Sequence, residues 1–150
     1  MSFNPRFMTL ALNQAVKAFD SKEVPVGAVV IKNNHIIGMG RNMVISHNSV
    51  ASHAEIIAIN KASQYLNNYR LIGCEIYVTL EPCHMCAKAI VDARISSMYF
   101  GAPEPKTGAV QSIDHFLDRG DLNHQVSYSG NHMKRQSAEL LKKFFQSRRG

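Results

Sequence analysis

The strongest constraint on this chain is a junction between a strand and a helix. Glu75 to Leu80 (EIYVTL) is a β-branched and aromatic run with strand character. It leads almost directly into Pro82-Cys83-His84-Met85-Cys86. Proline suits the first turn of a helix, where its missing N–H would have no partner anyway. Cys83 and Cys86 are three positions apart and therefore share one helix face. Near a helix N-terminus the dipole and free N–H groups favour thiolates. Two thiolates on one face form a pincer for a borderline-soft metal such as zinc.

A tetrahedral site needs more than this pair. Cys74 is the only other cysteine, so a four-cysteine ribbon is excluded, and the odd count argues against a secreted disulfide framework. Histidine is the natural third ligand. Three protein ligands with a fourth position open to water is the catalytic pattern. His53-Ala54-Glu55 supplies both remaining parts. Two positions apart is about 200° around a helix, so mid-helix the two side chains would diverge. At a helix N-terminus they lean back toward the open end and can reach one point beyond it. Two helix N-termini then face each other across the metal, with Glu55 handling protons.

Each segment also has a plainer reading. Ser52-His53-Ala54-Glu55 fits a capping box, with Ser52 as N-cap and Glu55 at N3. A Cys-x-x-Cys after a strand fits a redox pair. Neither reading explains both segments at once.

Around these segments the chain reads as one domain, residues 1–150, with no repeat, low-complexity tract or long linker. A helix opens at Asn4-Pro5, with Phe7, Leu10, Ala11, Ala15 and Ala18 at helical spacing. Gly27 to Lys32 and His35 to Arg41 form a hairpin about an Asn33-Asn34 turn. An irregular stretch, Asn42 to Ser52, precedes a helix over His53 to Tyr65. Another helix runs from Cys83 to Ala93 and a strand from Ile95 to Gly101. Val126 to Ser129 is a short last strand, and Lys134 to about Ser147–Arg148 a C-terminal helix. A hairpin followed by helix–strand alternation predicts a mixed sheet with helices on both faces. Met1 to Leu12 lacks a signal-peptide core, and Val24 to Ile31 is too short to span a bilayer, so a cytoplasmic protein with no membrane partner is expected.

The H-x-E…P-C-x-x-C pattern resembles that of the zinc-dependent nucleobase deaminases. Within them the chain resembles the bacterial tRNA-specific adenosine deaminases nearly end to end. Glu23-Val24-Pro25-Val26-Gly27-Ala28-Val29, Asn42, Tyr69-Arg70-Leu71-Ile72 and Tyr77 to Cys83 are similar to the family's segments. So are Phe100-Gly101-Ala102, Lys106-Thr107-Gly108-Ala109, Phe144-Phe145 and Arg148-Arg149. The chain departs at Glu104, where the family usually carries aspartate, and at His84, where it often carries a small apolar residue.

The resemblance implies a cytidine-deaminase-like three-layer α/β/α fold with a mixed, mostly five-stranded sheet. It implies hydrolytic deamination of adenosine to inosine at the wobble position of the tRNA anticodon loop. One Zn²⁺ per subunit would sit on His53, Cys83 and Cys86, with Glu55 catalytic. Asn42, Val26, Ala54, Leu80, Pro82 and Glu104 would meet the substrate nucleotide. Lys106, Phe145, Arg148 and Arg149 would meet RNA, and the protein would be a homodimer. Two residues are expected to stay outside this machinery: His84 should point away from the metal, and Cys74 should be core.

Charge invites an anionic partner; taken alone the basic tail fits a solvated face equally well, and the zinc motif tips the reading toward RNA phosphate. The net charge is +6, and Lys134, Arg135, Lys142, Lys143, Arg148 and Arg149 against Glu139 place +5 of it on residues 134–150. Leu140, Leu141, Phe144 and Phe145 form the stripe expected to dock this helix, leaving its basic face outward. The rival readings are a deaminase of free bases or nucleosides, a non-catalytic zinc-stabilised RNA-binding module, and a thiol redox protein.

Overall fold

The computed structural model describes residues 2–149, except for the Arg149 side chain. The elements follow the order α1 (Pro5–Asp20), β1 (Gly27–Lys32), β2 (His35–Arg41), α2 (Val44–His47), α3 (Ala54–Leu66) and β3 (Cys74–Leu80). Then come α4 (His84–Asp92), β4 (Ser97–Ala102), a 3₁₀ turn (Phe116–Asp118), β5 (Ser127–Ser129) and α5 (Lys134–Arg149). The five-stranded sheet runs β2-β1-β3-β4-β5. β1 is antiparallel to both its neighbours, whereas β3, β4 and β5 are parallel. The sheet is thus mixed, as expected.

Alternation along the strands splits the core between two faces. Ala28, Val30, Ile76 and Val78 face α3 and α4, packing with Ala54, Ala58, Ala62, Ala87 and Ile90. Val29, Ile31, Tyr77 and Tyr99 face α1, packing with Phe7, Met8 and Ala11. On that same side α5 reaches the sheet through Ser137, whose hydroxyl accepts from the Ala102 N–H. The result is three layers, α/β/α. Among the described residues no helix is long and apolar enough to cross a membrane.

Glycines set the helix-to-sheet distance. A Cβ at Gly40 would lie 2.4 Å from the Ala54 carbonyl oxygen, and one at Gly38 would lie 2.4 Å from that of Ala58. The alanine stripe of α3 therefore rests on bare backbone. On the opposite face, a Cβ at Gly27 would lie 2.0 Å from the Ala11 oxygen in α1. The hairpin turn at Asn33 and Asn34 has positive φ at both residues (51° and 63°), the geometry that asparagine tolerates and a tight hairpin requires.

Three expectations and one alternative reading are corrected. The stretch Asn42 to Ser52 is not wholly irregular, because it contains α2. Its helical turn survives through hydrogen bonds from outside the segment. Ser52 does not cap α3; its hydroxyl pairs with His47 Nδ1 at 3.0 Å, and His53 takes the N-cap position without a side-chain cap bond. β4 begins at Ser97 rather than Ile95: the Ile95 N–H still closes the turn onto the Ile90 carbonyl, and Ser96 leads into the strand by donating to the Cys74 carbonyl. Phe145 does not help dock α5. It is 47% exposed, while Phe144 is buried against Phe19 with ring centroids 6.0 Å apart.

Because Gly40 touches the backbone at the start of α3, Gly40→Ala is expected to displace the helix that begins at His53 and Ala54. Overpacking of this kind costs about 1–3 kcal/mol. Thermal unfolding should show a lowered Tm, accompanied by weaker metal retention.

Candidate metal centre and cleft

β3 ends at Leu80, and the chain turns through Glu81 and Pro82 into α4, whose N-cap is Cys83. α3 starts beside it with His53 as N-cap. Both helices thus open at the carboxyl end of β3, the edge where α/β sheets present their sites. The geometry brings His53, Cys83 and Cys86 together, with one ligand atom of each within 4.8 Å of the others. His53 Nδ1 lies 3.7 Å from Cys83 Sγ and 3.5 Å from Cys86 Sγ. Among the described residues this is the one such group of metal-ligating side chains. These residues could hold a metal ion.

The electrostatics suit a cation. The Cys86 thiol and His53 hold Cys83 down to about 3, against the opposing effect of burial. The Cys86 thiol is correspondingly raised, as donor to Cys83 and by its own burial. His53 is raised, first by its bond to Cys83. Glu55, 4% exposed in the first turn of α3, is pushed up by burial. Burial of this kind disfavours the charged carboxylate, so the protonated form is held more readily than on an exposed glutamate.

The centre opens into a cleft of about 280 Å³. Val26, Asn42, Ala54, Leu80, His53, Glu55 and Cys83 line it. Asn42 donates from Nδ2 to the Val24 carbonyl at 3.3 Å, which fixes its orientation. Its Oδ1 is buried with no hydrogen-bond partner.

Other sequence-predicted residues lie apart from the lining. Pro82 is buried beneath it, and its carbonyl accepts from the Ala109 N–H. Glu104 accepts from the Lys106 N–H at 3.0 Å within its own loop, and Lys106 is exposed. Phe145 and Arg148 are exposed on α5, where the Arg148 guanidinium sits 5.4 Å from the Phe144 ring centroid. The side chain of Arg149 lies outside the described residues. His84 points away from the centre, with Nε2 2.8 Å from Asp114 Oδ2. Cys74 is buried in the core, with no exposed surface.

Sequence reasoning assigned no role to several residues that shape the cleft. Glu23, Val24, Val44, Ile45 and Thr107 also line it. Glu81 is 2% exposed, and its carboxylate accepts from the N–H groups of Glu104, Val110, Gln111 and Ser112 and from the Ser112 hydroxyl. Burial alone would raise this carboxyl, but those donors outweigh it and hold it below the ordinary value. The loop carrying Thr107 is therefore wrapped around a buried charge, and Gly108 is there because a Cβ would fall 2.3 Å from Glu81 Cδ. The available signal was an acidic residue set inside an apolar run, at Leu80-Glu81-Pro82 and at the start of Glu23-Val24-Pro25-Val26.

Comparison with known proteins agrees with this geometry. The MafB19-like deaminase family model matches residues 4–149. A tRNA-specific adenosine deaminase of Haemophilus influenzae is 42% identical, covering 98% of this chain and 86% of its own length. One from Aquifex aeolicus is also 42% identical, over 95% and 94%. A solved structure from work on A-to-I editing by tRNA:A34 deaminases at the wobble position of transfer RNA superposes with a TM-score of 0.89. It is 41% identical and covers 91% of this chain and 99% of that one. With a catalytic-type His/Cys/Cys centre, a buried glutamate beside it and kinship over almost its whole length, the chain belongs to the deaminases, in the family of the tRNA-specific adenosine deaminases.

Proposed function

We propose that this chain is a zinc-dependent hydrolase that converts adenosine to inosine at the wobble position of tRNA anticodons. The observation that carries the proposal is the convergence of His53, Cys83, Cys86 and Glu55 at one end of the cleft. Zinc fits the donor set. Bonds of about 2.3 Å to sulfur and 2.0–2.1 Å to nitrogen in a tetrahedron place sulfur and nitrogen about 3.6 Å apart. The distances here are 3.5 and 3.7 Å. When bound, zinc makes a water molecule acidic enough to attack near neutral pH.

The remaining chemistry belongs to side chains. Glu55 accepts a proton from the attacking water and delivers protons to the purine ring nitrogen and to the departing amine. The C6–N bond breaks, a C6–O bond forms, and ammonia leaves. Burial keeps Glu55 poised for this exchange. Asn42 offers its free Oδ1 as acceptor to a donor on the nucleotide, while Val26, Ala54 and Leu80 provide apolar walls for the base. Pro82 and Glu104 are likewise assigned to the substrate nucleotide, each bonded to the loop that carries Thr107. Lys106, Phe145, Arg148 and Arg149 are assigned to RNA: the first, third and fourth to phosphates, and Phe145 to a stacked base. A homodimer and a cytoplasmic setting accompany the proposal, from the resemblance to the family.

Three outcomes follow from these roles. Glu55→Gln should retain about one equivalent of zinc, yet lose about 10²–10⁴-fold in single-turnover inosine formation on an anticodon stem-loop. Full activity in that variant would remove Glu55 from the mechanism, and activity on free bases in place of the stem-loop would reassign the substrate. Stripping the metal with a chelator should lower Tm, because a ligand bound only by the folded state stabilises that state; Glu55→Gln should respond as the parent does, and His53→Ala should lose the response. Finally, Arg148→Ala should flatten the dependence of log K for tRNA on log salt by about 0.7–0.9, the change expected when one phosphate is no longer neutralised. An unchanged slope would make Arg148 a solvated surface charge.

A further inference from the structure

Glu23 stands outside the chemistry just described, yet it is 1% exposed and lines the cleft. An ionised carboxylate in such a place is costly unless it is fully hydrogen-bonded. Its partners all come from one place. Oε1 accepts from the Ile45 N–H at 3.0 Å, and Oε2 accepts from the Ser46 N–H and the Ser46 hydroxyl, each at 2.7 Å. These donors lie at the start of α2, a helix of only four residues whose own N-cap, Met43, makes no side-chain cap bond. A single turn does not persist alone in water. Its orphan N–H groups are satisfied instead by a carboxylate 22 positions earlier in the chain.

The same stretch of chain fastens the residues around α2. The Val26 carbonyl accepts from the Asn42 N–H and the Val24 carbonyl from Asn42 Nδ2. Beyond α2, the Met43 N–H donates to the Ser52 carbonyl, immediately before His53. Val44 and Ile45 from α2 line the same cleft as His53 and Cys83, and Ile45 is 65% exposed.

We infer that Glu23 is a positioning residue for the substrate: by holding α2 from outside, it fixes Val44, Ile45 and Asn42 as the wall against which the target nucleotide is received. This rests on the proposed deaminase reading of the same cleft. Glu23 touches neither the metal ligands nor the reacting atoms, so its loss acts on binding. Without it α2 is only fractionally ordered, and apparent affinity falls by that fraction. Once substrate is seated, the wall is in place and the chemical step proceeds as before.

The test is steady-state inosine formation on an anticodon stem-loop by Glu23→Gln, Ser46→Ala and the double variant, with zinc content and amide exchange measured alongside. Glu23→Gln should raise KM by about tenfold, the scale of one charge-assisted hydrogen bond, with kcat within about twofold and zinc unchanged. Ser46→Ala, which removes one donor and leaves both backbone bonds, should raise KM by about two- to threefold. Adding it to Glu23→Gln should raise KM no further, because both changes break the same hydrogen bond. Unchanged KM in Glu23→Gln, a fall confined to kcat, or additive effects in the double variant would overturn the inference. If Glu23→Gln does not fold, Ser46→Ala decides alone, an unchanged KM being the contrary result. If the parent chain forms no inosine, the deaminase reading fails. The brace is then judged by exchange at Ile45 and Ser46, which should be slow in the parent and fast in Glu23→Gln; equal rates would overturn it.

Discussion

The structure depends on a close approach of helix to sheet. Gly38 and Gly40 present no side chain to α3, and α3 answers with Ala54, Ala58 and Ala62. A helix resting on backbone in this way has little freedom to slide, so its N-terminus is placed by packing rather than by a cap. His53 and Glu55 sit at that terminus. The parallel β3–α4–β4 unit does the same for Cys83 and Cys86, because the chain leaves the buried strand β3 and enters α4 within a few residues. Two independently anchored helix ends therefore meet at one point, and the ligand atoms converge without a flexible linker between them.

Around that point, buried carboxylates serve three different ends. Glu55 has few donors and is raised by burial, in keeping with the proton-transfer role proposed for it. In Glu81 burial raises and a ring of N–H and O–H donors lowers, with the donors prevailing, so a loop is organised about a fixed charge. Glu23 shows the same balance at α2: burial is outweighed by the Ser46 hydroxyl and the N–H groups of Ser46 and Ile45. What separates the proposed proton carrier from the structural anchors here is the number of donors aimed at the carboxylate, not its depth.

The strand-to-helix junction was legible because Pro82 marks a helix start directly after an apolar strand, and the pairing of His53-x-Glu55 with Cys83-x-x-Cys86 because the combined pattern resembles that of the zinc-dependent deaminases. The mixed sheet was legible from its punctuation: the Asn33-Asn34 turn, the apolar strands and the prolines. What escaped was tertiary in origin. A four-residue helix such as α2 has no pattern of its own and exists through Glu23. Ser52 has the composition of a cap, but its hydroxyl is taken by His47, a partner the local sequence does not announce. Phe145 has the spacing of a docking residue, yet Phe144 is the one packed against Phe19, while Phe145 lies 47% exposed. The concentration of charge in the tail was legible from composition; its exposure on one outward face follows from that docking.

The most direct test of the proposed centre is zinc K-edge X-ray absorption on the purified protein. Two sulfur ligands at about 2.3 Å and two nitrogen or oxygen ligands at about 2.0–2.1 Å are predicted, for Cys83, Cys86, His53 and one exchangeable position. A shell of four protein ligands with no exchangeable position, or an oxygen-only shell, would contradict a catalytic zinc at this site.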